Sequence, residues 1–166
     1  SSTFSRRCIR AVSVPPPGVA GRAGAVVLKK GRAHIKALCA YFPPRATGAG
    51  KLLVWRRTID LLCEWIRKEV AAAPVRTLIV LGVDLNDRIV GGGYAGQALS
   101  EGFHEQQLVA INSGLGSTYS GTYKNSEIDY LILPAGYEEA VRTRAILKKA
   151  AWQLQVIPDS RPRDHA

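Results

Sequence analysis

The segment Thr77-Leu78-Ile79-Val80-Leu81-Gly82-Val83 carries no charge and is apolar almost throughout, and the polar residues Asp84 and Asn86 follow it directly. A run of this length, rich in β-branched residues, predicts a strand buried on both faces of a sheet. Upstream, between Lys51 and Ala73, the apolar residues Leu52, Trp55, Ile59, Leu62, Ile66 and Val70 recur at spacings of three and four. That spacing predicts an amphipathic helix with one stripe on the core, closed before Pro74. Before it, Ala23 to Lys29 and Ala33 to Phe42 read as extended runs joined by Lys30-Gly31-Arg32, a β-hairpin stopped by Pro43-Pro44. In the second run Ile35, Ala37, Cys39 and Tyr41 share one face, and His34, Lys36, Leu38 and Ala40 share the other. Strand, long helix, buried strand is the order of a layered α/β protein.

The rest of the chain continues in short elements. Ile9 to Val14 reads as a strand ended by Pro15-Pro16-Pro17-Gly18. Gln97 to Val109 is expected to be helical with Leu99, Phe103 and Leu108 inward, followed by turns from Asn112 to Ser126. Ile128 to Leu133 is a second buried strand stopped by Pro134, Glu138 to Lys149 fits helix or strand, and Trp152 to Ile157 alternates as a strand. There is no internal repeat. The chain has 166 residues, which suits one domain spanning 1–166. It has no methionine and begins with Ser1, so a partial chain is expected.

Lysine and arginine number 23 against 13 acidic residues, a formal charge of +10. A field of that sign attracts polyanions, and it equally serves as solvated surface that keeps a domain in solution. Cys8, Cys39 and Cys63 lie far apart with no paired metal-ligand spacing, and Cys39 and Cys63 sit in apolar runs where a thiol behaves as a small hydrophobe. An odd cysteine count fits a reducing, intracellular compartment, the nucleus included. No apolar stretch approaches the roughly 20 residues needed to span a membrane, and the N-terminal residues lack the apolar core of a secretory signal.

Chemistry is expected where buried strands end. In layered α/β folds, ligands meet side chains at the carboxyl ends of strands. There Asp84 can activate a water or protonate a leaving oxygen, and Asn86 can hold a phosphate oxygen or a metal. Turn-forming Asx residues also end strands for purely structural reasons. Asp129 lies within an apolar strand, between Ile128 and Tyr130, where an ionised carboxylate needs a partner. An arginine or a backbone nest would serve; so would His165, because a carboxylate fixes an imidazole's tautomer and favours its charged form.

Taken together, Ala40-Tyr41-Phe42-Pro43-Pro44, Leu81-Gly82-Val83-Asp84-Leu85-Asn86, Ser126-Glu127-Ile128-Asp129-Tyr130 and Asp164-His165 fall in an order that resembles the endonuclease/exonuclease/phosphatase superfamily. This is the fold of DNase I, apurinic/apyrimidinic endonucleases and non-LTR retrotransposon endonucleases. Ile111-Asn112-Ser113 and Thr118-Tyr119 are fainter echoes between the blocks, and the likeness runs from about Ala23 to His165. Val83 is inserted before Asp84, and Arg163 stands where the family has serine. The family's N-terminal half, with its early Asn and metal-binding Glu, has no counterpart: residues 1–22 contain no Asp, Glu or Asn.

The resemblance implies a DNase I-like α/β fold, a β-sandwich flanked by helices in four α/β/β/α layers, of which this chain is the C-terminal portion. It implies a phosphodiesterase using Mg²⁺ or Mn²⁺, with nucleic acid, DNA above all, as partner. Asp84 would orient or deprotonate the attacking water, and Asn86 would hold the phosphate or that water. His165, held by Asp129, would donate to a non-bridging oxygen; Asp164 would lie near the metal and Tyr41 would contact the phosphate. The Ala40-to-Arg45 segment and the Arg163-Asp164-His165 ending look most like retroelement endonucleases. The rival is a non-catalytic remnant of the same fold that binds nucleic acid or serves as a scaffold. A dinucleotide-binding domain is disfavoured, because Gly91-Gly92-Gly93 comes too late after the strand and with the wrong spacing. A portion of a sandwich is expected to be poorly soluble and inactive by itself, its sheet face being uncovered.

Overall fold

The computed structural model describes residues 9–120 and 125–137, with Glu139 and Val141. The strands are β1 (Ile9–Ser13), β2 (Ala23–Lys30), β3 (Ala33–Tyr41), β4 (Thr77–Asp84), β5 (Leu108–Ala110), β6 (Tyr119–Ser120), β7 (Asn125–Ser126) and β8 (Asp129–Pro134). The helices are α1 (Ala49–Ala71) and α2 (Tyr94–Gln106). Six strands form one mixed sheet in the order β1-β2-β3-β4-β8-β5, and β6 and β7 pair separately. β3 and β4 are its parallel neighbours, and the other pairs in that sheet are antiparallel. A parallel pair needs a long crossover, which α1 supplies.

Both helices lie on one face of the sheet. Ala25, Leu38, Ala40, Ile79, Leu81, Val83, Tyr130 and Ile132 are buried beneath Trp55, Ile59, Leu62, Trp65 and Ile66 of α1 and Leu99 and Phe103 of α2. Trp65 joins the predicted stripe of α1, and Leu52 and Val70 at its margins are only partly buried. Lys36 is the exception on this face of β3. Its ammonium is buried but bonds the Glu69 carboxylate at 2.7 Å and the Glu69 carbonyl, and Ser13 Oγ donates to the same carboxylate.

The opposite face differs from expectation. Leu78, Val80 and Gly82 of β4 are only half-buried, and Leu131 of β8 is 41% exposed, so these strands are covered by helices on one side rather than on both. Cys39 belongs to this open face and is exposed, not a core hydrophobe. Two boundaries also move. The helix begins at Tyr94, and Gln107, with a left-handed φ of 54°, ends it, so Leu108 and Val109 start a strand instead. Pro134 pairs with Leu108 at the sheet margin and closes β8 from within. The segments 142–149 and 152–157 lie outside the described residues.

Candidate active site

Because β3 and β4 run parallel, both deliver their carboxyl ends to one end of the sheet, where antiparallel β8 begins. The register then aligns Tyr41 with Asp84, and Asp84 with Asp129. Directly opposed residues project to the same side, with Cα atoms about 5 Å apart. Their neighbours Ala40 and Phe42, Val83 and Leu85, and Ile128 and Tyr130 are all buried. The row Tyr41–Asp84–Asp129 therefore faces away from the helices. Tyr41 is 42% exposed, and the two aspartates are half-buried.

Backbone and amide bonds fasten the strand ends around this row. Phe42 N donates to Asp84 O at 2.8 Å, and Leu85 N donates to Ile128 O at 2.8 Å. Asn86 has a left-handed φ of 52°, a conformation that asparagine tolerates better than most residues. Its Nδ2 donates to Phe42 O at 2.9 Å, which leaves the amide a second N–H and an oxygen to offer.

Asp129 is positioned through its backbone. The buried Thr118 hydroxyl accepts from the Ile128 and Asp129 amides at 3.1 and 3.0 Å. On the other side Asn112 Nδ2 donates to Asp129 O at 2.9 Å, and its Oδ1 accepts from Leu131 N at 2.7 Å. Asn112 and Thr118, faint echoes in the sequence, thus set the strand that carries Asp129. The Tyr130 hydroxyl donates to Glu127 O and accepts from Ile89 N, and burial pushes its pKa up to about 12.

Sequence reasoning missed Asp87. Its Oδ1 accepts from the Arg88 and Gly93 amides at 2.8 and 2.9 Å, and its Oδ2 accepts from Gly96 N at 3.0 Å. A carboxylate there satisfies open N–H groups at the start of α2 and matches its dipole. The loop closes this tightly because Gly92 and Gly96 lie against the Arg88 carbonyl, where an added Cβ would fall 1.8 and 1.9 Å from its oxygen. The available signal was an acidic residue and a glycine cluster before a helix. It was obscured because the capping carboxylate comes six residues ahead of Gly93.

Asp164 and His165 lie outside the described residues, and so does the expected Asp129–His165 pair. Among the described residues no group of three or more His, Cys, Asp or Glu side chains could hold a metal ion. Asp84 and Asp129 stand side by side, but two carboxylates do not make a complete ligand set. Among the described residues, no helix is long and apolar enough to cross a membrane.

No protein-family model matches the chain, and no curated protein is similar to it in sequence. Solved structures are similar in fold. The endonuclease domain of TRAS1, a telomere-specific non-LTR retrotransposon, superimposes with a TM-score of 0.57 at 18% identity over 82% of this chain. The 3′ phosphatase NExo from Neisseria, bound to a product DNA hairpin, gives a TM-score of 0.60 at 11% identity over 79% of this chain. The AP endonuclease LMAP from Leishmania major gives a TM-score of 0.54 at 14% identity over 72%. This chain spans 60% of the length of each of the first two and 48% of the third. All three are endonuclease/exonuclease/phosphatase-type proteins, and the fold of this chain is DNase I-like.

Proposed function

We propose that the chain is the C-terminal part of a phosphodiesterase that cleaves nucleic acid, an endonuclease of the retrotransposon type. The observation that carries this reading is the row Tyr41–Asp84–Asp129 at one sheet end, with Asn86 just beyond it. Hydrolysis of a phosphodiester needs an acceptor for the proton of the attacking water and donors for the phosphate oxygens. Asp84 supplies the acceptor. The second N–H of Asn86 and the hydroxyl of Tyr41, a residue 42% exposed, supply donors. Asp129, directly beside Asp84, builds up negative charge that favours a cationic group at this end of the sheet, the role given to the imidazolium of His165.

The family's divalent cation, Mg²⁺ or Mn²⁺, would supply charge neutralisation at the scissile phosphate. The described residues do not by themselves fit it. The proposed ligand Asp164 lies beyond them, and every role above is assigned without it. Nucleic acid as substrate is supported by the charge of +10 and by the fold neighbours, an endonuclease domain and a phosphatase bound to a DNA hairpin.

The test is cleavage of a labelled DNA duplex in Mg²⁺ or Mn²⁺ by a longer protein that includes this chain, compared with its Asp84→Asn variant. Loss of cleavage with retained DNA binding supports the reading. Cleavage undiminished by Asp84→Asn overturns the assignment, and binding with no cleavage by either protein marks a non-catalytic remnant.

A further inference from the structure

Asn86 also borders a second space. On the helix side of the sheet end, the segment after Pro44, the first turns of α1 and the start of α2 enclose a cleft of about 370 Å³. Arg45, Arg56, Asn86 and Gln97 line it, with Trp55 and Tyr94 as its floor. That floor is firmly built. Trp55 Nε1 donates to Pro43 O at 2.8 Å, the Tyr94 hydroxyl donates to Asp60 Oδ1 at 2.7 Å, and the two rings lie 5.9 Å apart. The Arg56 guanidinium rests on the Tyr94 ring, 5.2 Å from its centre. A guanidinium stacked on a ring keeps its N–H groups free at its edge to meet an anion.

The balance of charge in this cleft is positive. Its one carboxylate, Asp87, is engaged by the amides of Arg88, Gly93 and Gly96. Two arginines and two amide side chains are the donor set of a phosphate site. A mononucleotide-sized volume opening beside Asn86 places that site next to the proposed reaction centre.

We propose that this cleft seats a phosphate of the nucleic-acid strand adjoining the one that is cleaved, gripped by Arg45 and Arg56. This rests on the reading that the row at Asp84 acts on nucleic acid. The substrate is then a polynucleotide held across at least two phosphates rather than an isolated phosphodiester.

Binding of a labelled DNA duplex to a longer protein that includes this chain, followed as salt is raised, tests it. Each of Arg45→Ala and Arg56→Ala is expected to lower the slope of log K against log salt by about one. Lys29→Gln, an exposed cation at the far end of the β2–β3 hairpin, is expected to leave the slope unchanged. Duplex binding with the same slope in both arginine variants as in the parent overturns the cleft and leaves the nuclease reading standing. Parent binding that does not weaken with salt, or no binding at all, overturns both.

Discussion

Asp84 and Asp129 oppose one another across the β4–β8 ladder, on the sheet face turned away from both helices. Like charges directly opposite one another repel, which by itself disfavours the fold slightly. Replacing Asp84 with asparagine keeps its shape and removes that repulsion. Thermal unfolding is therefore expected to shift little, while DNA cleavage by a longer protein containing this chain falls about 10²–10⁴-fold, the range for loss of a general base. A variant that loses stability in step with activity would reassign Asp84 to a structural role.

Asp87 makes the opposite kind of contribution. Its carboxylate engages three backbone amides around the start of α2. Asp87→Ala is expected to cost about 2 kcal/mol, the upper range for a lost helix cap. Gly96→Ala should cost about 3 kcal/mol, because its methyl must displace the Arg88 carbonyl in a packed loop. Urea denaturation measures both, and a neutral Gly96→Ala would mean that the loop is looser than this.

Tyr130 joins the two loops beneath the row. Its hydroxyl accepts from Ile89 N and donates to Glu127 O. Tyr130→Phe leaves the Ile89 amide without that acceptor, at a cost of about 1–3 kcal/mol. With its pKa raised from 10.0 to about 12 by burial, the folded chain holds the phenolic proton more tightly than the unfolded chain. Its contribution is complete below pH 10 and is lost as pH rises through about 12. The parent should therefore lose stability between about pH 10 and 12, and Tyr130→Phe should remove this step from the alkaline titration.

The sequence made the central βαβ unit readable because α1 has a long 3.6-residue period and β4 a clean apolar run. Those features follow from local patterning, and the register that aligns Tyr41, Asp84 and Asp129 follows from strand direction. Which side of the sheet is covered was not readable, since the alternation in β3 is apolar on both faces and Lys36 occupies the buried one. That burial depends on Glu69, thirty-three positions away, a pairing no local pattern announces. The start of α2 was obscured in the same way, its capping carboxylate lying upstream of a glycine run that looked like an ordinary loop.

The Lys36–Glu69 pair should matter most in acid. Burial alone would raise the Glu69 pKa, but hydrogen bonds from Lys36 and Ser13, with the Lys36 charge, hold it below the usual carboxylate range. Folded Glu69 thus binds its proton more weakly than unfolded Glu69, so its stabilisation is present at neutral pH and fades as pH falls through that lowered value. Lys36→Met is expected to cost about 3 kcal/mol at neutral pH by stranding the Glu69 carboxylate. Lys36→Met with Glu69→Gln should recover part of it and flatten the acid limb of stability against pH. An unchanged acid limb in the double variant would show that other carboxylates control acid unfolding.

Finally, the two described cysteines report on the two faces of the sheet. Cys63 lies on α1 facing α2, and burial, with the nearby Asp60 charge, pushes its pKa up to about 12. Cys39 sits on the open face beside Gly82 and is exposed. Thiolate, not thiol, is the reactive form, so alkylation needs both access and ionisation. Iodoacetamide at neutral pH is therefore expected to modify Cys39 readily and Cys63 only on unfolding, with peptide mass spectrometry reading each site. Any second layer docked on the open face would shield Cys39 and leave Cys63 as it was. Slow labelling of Cys39 in this chain by itself would mean that the face is already covered, and the sheet would then have to be read as enclosed on both sides.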